Sequence, residues 1–191
     1  MRIEKYALQH KAQKKWYSYE YHFFYRLIMS PILMKFYTIN DSFVSSIKLI
    51  EPKIQDNYGG KRPYIGVLLS INDLNYFAPL SSYKSKQDRI NNITVFKLHE
   101  KGNPENKLGV IHLNNMFPVP YNQLNEVIID INDSYGRMLQ NQYEYILHYQ
   151  EKIQKQANKL YEIANKKDNS FLTNLTCDFK SLEVYISENS V

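Results

Sequence analysis

Residues 58–84, with the sequence YGGKRPYIGVLLSINDLNYFAPLSSYK, decide the fold that we expect for this chain. The apolar run at 64–69 is typical of a buried strand, the Asn-Asp pair at 72–73 supplies a turn, and residues 76–80 form the returning strand. The pattern therefore predicts a β-hairpin. Because a hairpin brings its two open ends together, the side chains that flank the two strands should meet at one rim.

The flanks of this predicted hairpin carry hydroxyl groups and cations, namely Tyr58, Lys61, Arg62, Ser81, Ser82 and Lys84. Cations and hydroxyls that converge on one point can stabilise the charge of a reacting phosphate. Each residue also has a plainer interpretation. The serine pair can simply end a strand, Tyr58 before two glycines can belong to a turn, and Arg62 and Lys84 can be surface charges. The residues alone leave both interpretations open.

The composition indicates one globular domain, with an added arm, in a reducing compartment. The chain has 191 residues, of which 43% are hydrophobic, and such a length can bury a sizeable core. The single cysteine, Cys177, excludes an internal disulfide framework and offers no metal-ligand spacing. The apolar stretches are too short to cross a membrane. The 17 tyrosines can fill a core, but they can also stack on nucleic-acid bases.

The net charge of +5 is unevenly distributed along the chain. Residues 53–107 contain nine Lys and Arg against five Asp and Glu, whereas residues 108–191 contain seven against ten. A basic region on an otherwise balanced domain favours a phosphate-bearing partner such as nucleic acid, although a solvated surface has the same composition.

Residues 1–33 differ from the rest of the chain, because they combine six Lys and Arg with clustered aromatic residues. An arginine interrupts their apolar stretch and no small-residue cleavage site follows it, so a signal peptide is not expected. A basic, aromatic helix could touch membrane or RNA. We favour a simpler interpretation, in which Met34 is the natural start and residues 1–33 are translated upstream sequence that forms a loosely attached helix. Residues 34–191 then form the functional domain.

The pattern downstream of Met34 predicts about six short strands joined by tight connections. Besides the hairpin, the pattern predicts a turn at 101–106, a polar and mobile loop at 83–93, and strands at 35–39, 94–99, 108–113 and 127–131. Such short, closely connected strands favour an antiparallel barrel or a strongly bent sheet.

Three helices are expected around this sheet. Asn40 or Asp41 can cap a short helix that ends before Pro52, and a long helix spans 133–166, where apolar residues recur at three- and four-residue steps. A final short helix is expected at 178–186. The sequence thus predicts an α+β fold in which the apolar stripe of the long helix packs against the sheet.

Residues 34–191 resemble the ToxN/AbiQ family, the endoribonuclease toxins of type III toxin–antitoxin systems. The resemblance rests on five segments that occur in the family's order: KFYTI at 35–39, RPYIGVLL at 62–69, YFAPLSSYK at 76–84, FKLHEKGNPENKLGVIHLNNMFPV at 96–119 and YGRMLQNQYEYI at 135–146. Together they cover nearly the whole of 34–191, so no single short motif carries the resemblance. None of it extends to residues 1–33.

The resemblance implies a small, strongly bent antiparallel β-barrel similar to the Kid/MazF toxins, with a long C-terminal helix and shorter helices packed on it. It implies a cytoplasmic, sequence-preferring endoribonuclease that needs no metal or cofactor and leaves 2′,3′-cyclic phosphate and 5′-hydroxyl ends. The expected partners are cellular or phage RNA and a repeated pseudoknot RNA antitoxin, which the toxin cuts from a precursor. Three toxins and three RNAs would close into a ring, with no role for a membrane, and the system would defend against phage by abortive infection.

The site residues that the resemblance implies lie on the flanks of the predicted hairpin. The family's catalytic residues correspond here to Tyr58, Arg62, Ser81, Ser82 and Lys84. Arg62 and Lys84 would neutralise phosphate charge, Ser82 would lie at the reacting centre, and Tyr58 would hydrogen-bond or position a base. Further RNA contacts are expected from Lys61, Lys86, Arg89, Lys97 and His99.

Three departures from the family pattern concern this site. Ser81 replaces a threonine, Tyr83 replaces a proline, and Arg62 stands where one branch of the family has lysine. The hydroxyl survives at position 81, but the loop that follows can differ in rigidity. Because arginine does not lose its proton in proteins, Arg62 can stabilise charge but cannot serve as a base.

The base that would deprotonate the 2′-hydroxyl is left open by this assignment. A serine of ordinary pKa is a poor base, and histidine is the usual candidate near pH 7. His99 is the alternative to Ser82, because it ends a predicted strand in the family-like KLHE. His112 alternates within a predicted strand, where relatives carry other residues, and is expected to be a satisfied sheet histidine. Two other function classes stay open, namely a non-catalytic RNA-binding module and an interaction domain whose tyrosine-rich surface binds protein.

Overall fold

The computed structural model describes residues 34–90, 92–167 and 169–189 of the chain. The helix expected within residues 1–33 lies outside these residues. No helix in the described part of the chain is long and apolar enough to cross a membrane. The described residues form an α+β fold with one antiparallel sheet, as the sequence predicts.

The sheet has eight strands: β1 Lys35–Ile39, β2 Tyr64–Gly66, β3 Ser70–Ile71, β4 Leu74–Ser81, β5 Val95–Glu100, β6 Asn103–His112, β7 Phe117–Pro118 and β8 Leu124–Glu126. Five α-helices accompany it: α1 Asp41–Ile50, α2 Ser134–His148, α3 Gln150–Lys166, α4 Ser170–Leu175 and α5 Phe179–Asn189. Short 3-10 turns occupy Ser85–Arg89, Leu113–Asn115 and Tyr121–Gln123.

Strand β4 is the centre of the sheet, because four other strands pair with it. Its first half pairs with the short strands β3 and β7, and its second half pairs with β2 and β6. Through the described residues the strands follow the open order β5-β6-β4-β2-β1-β8, and the two end strands do not pair with each other. The expected closed barrel is therefore not supported. Different partners pair with the two halves of β4, and the path from β5 to β8 through this strand stays open.

The helices close the core on one side of the sheet. Tyr76 of β4 packs edge-on against Tyr161 of α3 and Phe179 of α5, with ring centroids 5.8 Å apart in both pairs. Buried Glu183 of α5 accepts hydrogen bonds from the hydroxyls of Tyr76 and Tyr161, each at 2.6 Å, and from Lys180 at 2.8 Å. Burial raises the pKa of Glu183, but the hydrogen bonds from Lys180 and the two tyrosines outweigh burial and lower it.

Several element boundaries differ from the sequence prediction. The expected long helix is two helices, since α2 ends at His148 and α3 begins at Gln150. The expected strand at 127–131 is absent and β8 precedes it. The apolar side chains there, Ile128 and Ile131, are 92% and 60% exposed, so the apolar pattern does not mark a core strand. The first hairpin strand is also shorter than predicted and continues only as the two-residue β3.

The second hairpin is longer than the sequence indicates. The segment 101–106 was expected to be a turn, but β6 already begins at Asn103 and pairs with β5 from there. Its first five residues are exposed, which explains why they carry no strand-like apolar alternation. Strands β5 and β6 therefore form a long two-stranded arm. His112 lies at the end of β6 that joins the rest of the sheet.

Candidate active site

The loop before β2 is held in place by a buried asparagine. The side-chain amide of Asn57 donates to the carbonyl oxygen of Ile39 at 2.9 Å, and its Oδ1 accepts from the hydroxyl of Tyr64 at 3.1 Å. The carbonyl oxygen of Asn57 accepts from the backbone N–H groups of Lys61 at 3.1 Å and Arg62 at 3.2 Å. The loop is thus closed on itself and anchored to β1 and β2.

Within this loop Tyr58 adopts a backbone conformation that side chains rarely adopt. Its φ is +52°, and the following Gly59 and Gly60 have φ values of +65° and +78°. A bulky residue in the left-handed region costs free energy, which the anchored loop must supply, and such residues concentrate at functional sites. As a result the Tyr58 side chain is 67% exposed, and its ring lies over the guanidinium of Arg62 with 4.7 Å from Cζ to the ring centroid.

Arg62 is a buried cation and not a surface charge. Only 5% of the residue is exposed. Its Nε donates to the carbonyl oxygen of Asp56 at 2.6 Å, and its Nη1 contacts Oε1 of Gln55 at 2.9 Å, the carbonyl oxygen of Leu80 at 3.1 Å and Oγ of Ser81 at 3.1 Å. Nη2 makes no hydrogen bond to the described residues, so one nitrogen of an immobilised guanidinium is left for a ligand.

The end of β4 places two serines and a lysine beside Arg62. Ser81 is the last residue of the strand and accepts the hydrogen bond from Arg62, whereas Ser82 is exposed and its hydroxyl has no partner among the described residues. The chain then turns, because the backbone N–H of Lys84 donates to Oε1 of Gln87 at 2.6 Å. The ammonium of Lys84 is exposed and pairs with no acidic residue in the described part of the chain.

Strand β6 pairs with the end of β4 and fixes its position. Ser81 is paired with Val110, and the neighbouring Gly109 lies so close that a Cβ there would be 2.8 Å from the carbonyl oxygen of Ser81 and 2.8 Å from Nε2 of Gln142. Gln142 is itself buried and donates to the carbonyl oxygen of Leu108 at 2.8 Å. Glycine at 109 therefore permits the close approach of β6, β4 and α2.

Two depressions meet at this point, and the same five residues line both: Tyr58, Arg62, Ser81, Ser82 and Lys84. One has a volume of about 230 Å³ and extends along α2 past Lys61, Tyr135 and Gln142. The other has a volume of about 330 Å³ and extends past Gln55, Lys86 and His112. The structure thus brings together all five residues that the resemblance identifies as catalytic, together with Lys61 and Lys86.

His112 lines the second depression, a position that the sequence did not predict. It is half-buried, and its ring makes no hydrogen bond to the described residues, so it is not a satisfied sheet histidine. Burial, followed by the positive charges of Arg62 and Lys86, lowers the pKa of His112 to about 4, which leaves the ring uncharged at neutral pH. Residues that alternate along a strand share a face, so the pairing of Ser81 with Val110 places His112 on the face of Ser81.

His99, the histidine that the sequence offers as the alternative to Ser82, lies away from the two depressions. His99 lines neither depression, and its Nδ1 is 2.6 Å from the carbonyl oxygen of Pro104 in the outer part of the β5–β6 arm. Lys97 and Arg89 also lie outside both depressions, and Lys97 donates to the carbonyl oxygen of Asp88 at 3.4 Å. Of the five expected RNA contacts, only Lys61 and Lys86 lie at the depressions.

The chemistry of the site follows from its charges. Arg62, Lys61, Lys84, Lys86 and Lys48 surround the two depressions, and the one carboxylate in their lining, Asp56, is paired with Lys48. No cluster of His, Cys, Asp or Glu within the described residues could hold a metal ion. Fixed cations beside free hydroxyls and a neutral imidazole define an anion-binding site that can also move protons. Fold and site together define an α+β protein that can bind and act on a phosphate at the rim of an antiparallel sheet.

Comparison with known proteins places this chain in one family. The family described as "Toxin ToxN, type III toxin-antitoxin system" matches residues 35–187. Endoribonuclease AbiQ of Lactococcus lactis subsp. lactis is 34% identical over 172 residues, which cover 84% of this chain and 91% of the relative. The chain therefore belongs to the ToxN family of type III toxin–antitoxin systems.

Solved structures agree with this assignment. The structure of AbiQ, described as a lactococcal anti-phage endoribonuclease of the type III toxin–antitoxin system, has a TM-score of 0.77 at 33% identity and covers 82% of this chain and 98% of its own. A second structure, which concerns selective toxin inhibition by a non-coding RNA pseudoknot, has a TM-score of 0.73 at 28% identity and covers 82% of this chain and 97% of its own.

Proposed function

We propose that this chain is an endoribonuclease toxin that cuts RNA at preferred sequences, without a metal, and leaves 2′,3′-cyclic phosphate and 5′-hydroxyl ends. The single observation that carries the proposal is the convergence of Tyr58, Arg62, Ser82 and Lys84 on two connected depressions. Family membership and the endoribonuclease relatives support the same activity. No metal is needed, because Arg62 and Lys84 supply the positive charge that a reacting phosphate requires.

The roles of the cations and of Tyr58 follow from their contacts. Arg62 is locked by four hydrogen bonds and presents Nη2 to a phosphate oxygen, so its charge is in place before the substrate arrives. Arg62 precedes β2 and Lys84 follows β4, so the two cations reach the site from different strands. Tyr58 offers an exposed ring on which a base beside the cut can stack.

The reaction itself needs one proton to leave and one to arrive. The 2′-oxygen attacks phosphorus and the bond from phosphorus to the 5′-oxygen breaks. In our proposal the uncharged ring of His112 accepts the 2′-proton, Ser82 donates a hydrogen bond to the phosphorane, and Lys84 delivers a proton to the leaving 5′-oxygen. A bound phosphate offsets the charges of Arg62 and Lys86, which raises the pKa of His112 and makes it a better acceptor.

The proposed partner is a repeated pseudoknot RNA antitoxin, which the toxin cuts from a precursor and which inhibits it in a ring of three toxins and three RNAs. The relative whose inhibition by an RNA pseudoknot is described supports the RNA partner, and the anti-phage relative supports a role in phage defence, which we propose to be abortive infection in the cytoplasm. In this chain the basic lining of the two depressions suits an RNA inhibitor that occupies the site of its substrate.

The test is cleavage by the Ser82→Ala variant. Loss of one transition-state contact should slow cleavage by about 100- to 1,000-fold. An exposed hydroxyl without a partner contributes roughly 1 kcal/mol or less to stability, so the fold should survive. Purified wild type and variant are incubated with repeat-precursor RNA and with total cellular RNA, and products are resolved on gels and tested for a cyclic phosphate end.

The matched control is Ser85→Ala, which removes an exposed serine three residues further along that lines neither depression. Its cleavage rate should equal that of the wild type. Full-rate cleavage by a folded Ser82→Ala variant contradicts the assigned reacting centre. If the wild type binds the precursor but cuts neither RNA, the chain is a non-catalytic RNA-binding module and the proposed activity is wrong.

A further inference from the structure

A row of neighbouring aromatic rings runs from the candidate active site past β5 to the junction of α2 and α3. Tyr83 and His99 have ring centroids 6.4 Å apart, His99 and Tyr145 6.0 Å, and Tyr145 and Tyr149 4.6 Å. Phe96 joins the row beside Tyr149 at 6.3 Å. We refer to these five residues as the aromatic track.

The track begins at the active site because Tyr83 lies between Ser82 and Lys84. Its ring is fixed in place: the hydroxyl donates to Oδ1 of Asp88 at 2.7 Å, and Lys107 pairs with the same oxygen at 2.7 Å. The first ring of the track is therefore held at a constant distance from the reacting centre.

Three of the remaining rings are held in place and still accessible, whereas Phe96 is only 7% exposed and packs beside Tyr149. His99 stands on β5, while Tyr145 and Tyr149 lie one helical turn apart at the end of α2. All three are half-buried, as is Tyr83, so each ring is held by its neighbours and still exposes part of its surface. A rigid aromatic ring with an accessible surface can stack on a base at little entropic cost.

Cations lie over the track at both ends. The ammonium of Lys107 is 5.0 Å from the ring centroid of Tyr83, and the ammonium of Lys152 is 5.8 Å from that of Tyr149 and 6.0 Å from that of Phe96. Lys152 pairs with no carboxylate in the described part of the chain. At this far end the track opens into a depression of about 670 Å³ lined by His148, Tyr149, Lys152 and the ion pair of Lys155 with Glu151.

We propose that the aromatic track binds single-stranded RNA that continues from the cut site, with bases stacked on the accessible rings of Tyr83, His99, Tyr145 and Tyr149 and a phosphate on Lys152. Aromatic side chains in a row with interleaved cations are what single-stranded nucleic acid requires, because every base has a stacking face. A duplex hides those faces, and a protein partner would give no reason for cations at both ends. The inference rests on the proposed function, since RNA reaches the track from the active site.

The experiment measures binding of a fluorescein-labelled oligouridine of about 12 nucleotides, a length within the usual site size, by fluorescence anisotropy at low salt. All proteins carry Ser82→Ala so that the probe is not cut. Tyr149→Leu should weaken binding by roughly 5- to 150-fold, the equivalent of one lost stacking contact. Tyr149→Phe keeps the ring and should bind as tightly as the parent, and an RNA duplex of the same length should not respond to either change.

Tyr121→Leu is the matched control, because Tyr121 is 74% exposed and lies outside the track. It should leave the affinity unchanged. If Tyr149→Leu keeps its fold but binds oligouridine as tightly as Tyr121→Leu, the rings serve only to pack α2 on β5 and the inference is wrong. If Tyr149→Leu does not fold, Lys152→Gln takes its place: a weaker affinity with a smaller salt dependence supports the track, and an unchanged affinity overturns it.

The two proposals fail separately. If the wild-type protein does not cleave RNA but oligouridine binding depends on Tyr149, the proposed nuclease activity is wrong and the track is supported. Normal cleavage by the wild type, with oligouridine binding that ignores Tyr149, contradicts the track but leaves the nuclease standing.

Discussion

A buried cation needs partners, and Arg62 shows how this chain supplies them. Its four hydrogen bonds reach two backbone carbonyls, one amide and one hydroxyl, and none goes to a carboxylate. The charge is therefore solvated by the protein without being neutralised, and it is free to attract a phosphate. A lysine at this position could not reproduce these contacts, because a single ammonium cannot bond all four acceptors and still present a donor to the ligand.

The uncharged state of His112 makes stability depend on pH. Burial and the charges of Arg62 and Lys86 lower its pKa to about 4 in the folded protein, against a value of 6.5 for an unperturbed histidine. Between these values the unfolded chain binds more protons than the folded one, so this histidine destabilises the fold as pH falls. We expect the free energy of unfolding to decrease by roughly 2–3 kcal/mol between pH 6.5 and pH 4 because of His112 alone.

The measurement is urea unfolding of wild type and His112→Gln across this pH range. The free energy of unfolding of the variant should decrease less between pH 6.5 and pH 4 than that of the wild type. Its cleavage rate at neutral pH should fall if His112 accepts the 2′-proton. His148→Gln controls for removal of a histidine on the helical surface. Identical pH profiles for wild type and His112→Gln would contradict the environment that the structure gives this ring.

The sequence predicted which site residues lie together where neighbouring segments of the chain pair with each other. The serine pair, Lys84 and Arg62 flank one predicted hairpin, so local pairing was enough to bring them together. The choice between His99 and His112 depended on where the β5–β6 arm begins and which end of it meets β4. That contact spans about thirty residues and is set by packing, which neither alternation nor composition encodes.

At the scale of secondary-structure elements, the same limit appears in the helices. Apolar residues recur with helical spacing across 133–166, yet the helix is interrupted at Tyr149, which caps the end of α2 through its backbone N–H. No glycine or proline marks the break. Tyr149 contacts Phe96 of β5 at this break, a tertiary contact that helical spacing in the sequence does not reveal.

Gly109 links two elements to the active site, and the substitution Gly109→Ala tests that link. The added Cβ would lie 2.8 Å from both the carbonyl oxygen of Ser81 and Nε2 of Gln142. One of these neighbours must therefore shift, and a shift of the β4 end would carry Ser82 with it. We expect a loss of about 1–3 kcal/mol in stability, typical of overpacking, and a larger relative loss of cleavage than the stability change explains.

Denaturation and cleavage assays on Gly109→Ala distinguish these effects. The double variant with Gln142→Ala removes the contact with the side chain but not the contact with the strand, and it also loses the hydrogen bond to Leu108, so it should recover neither the stability nor the activity of the wild type. Wild-type cleavage in a destabilised Gly109→Ala protein would mean that the exact position of the β4 end does not matter.

At the scale of the whole molecule, charge is divided between two parts of the chain. Residues 1–33 carry six Lys and Arg against two Asp and Glu, and the basic segment 53–107 carries nine against five. The family match covers 35–187 and the cations of both depressions lie within it. We propose that RNA is bound by the second part, and that residues 1–33 are dispensable.

This proposal predicts the salt dependence of RNA binding by the full chain and by residues 34–191. Affinity for precursor RNA should fall steeply between about 50 and 200 mM salt, because each phosphate that a lysine or arginine neutralises releases counterions. The logarithmic slope should be equal for the two proteins, since the cations of residues 1–33 would take no part. Growth arrest on expression should also be equal. A shallower slope for a folded 34–191 protein would show that the first 33 residues bind RNA, and a flat dependence for both would point to a protein partner instead.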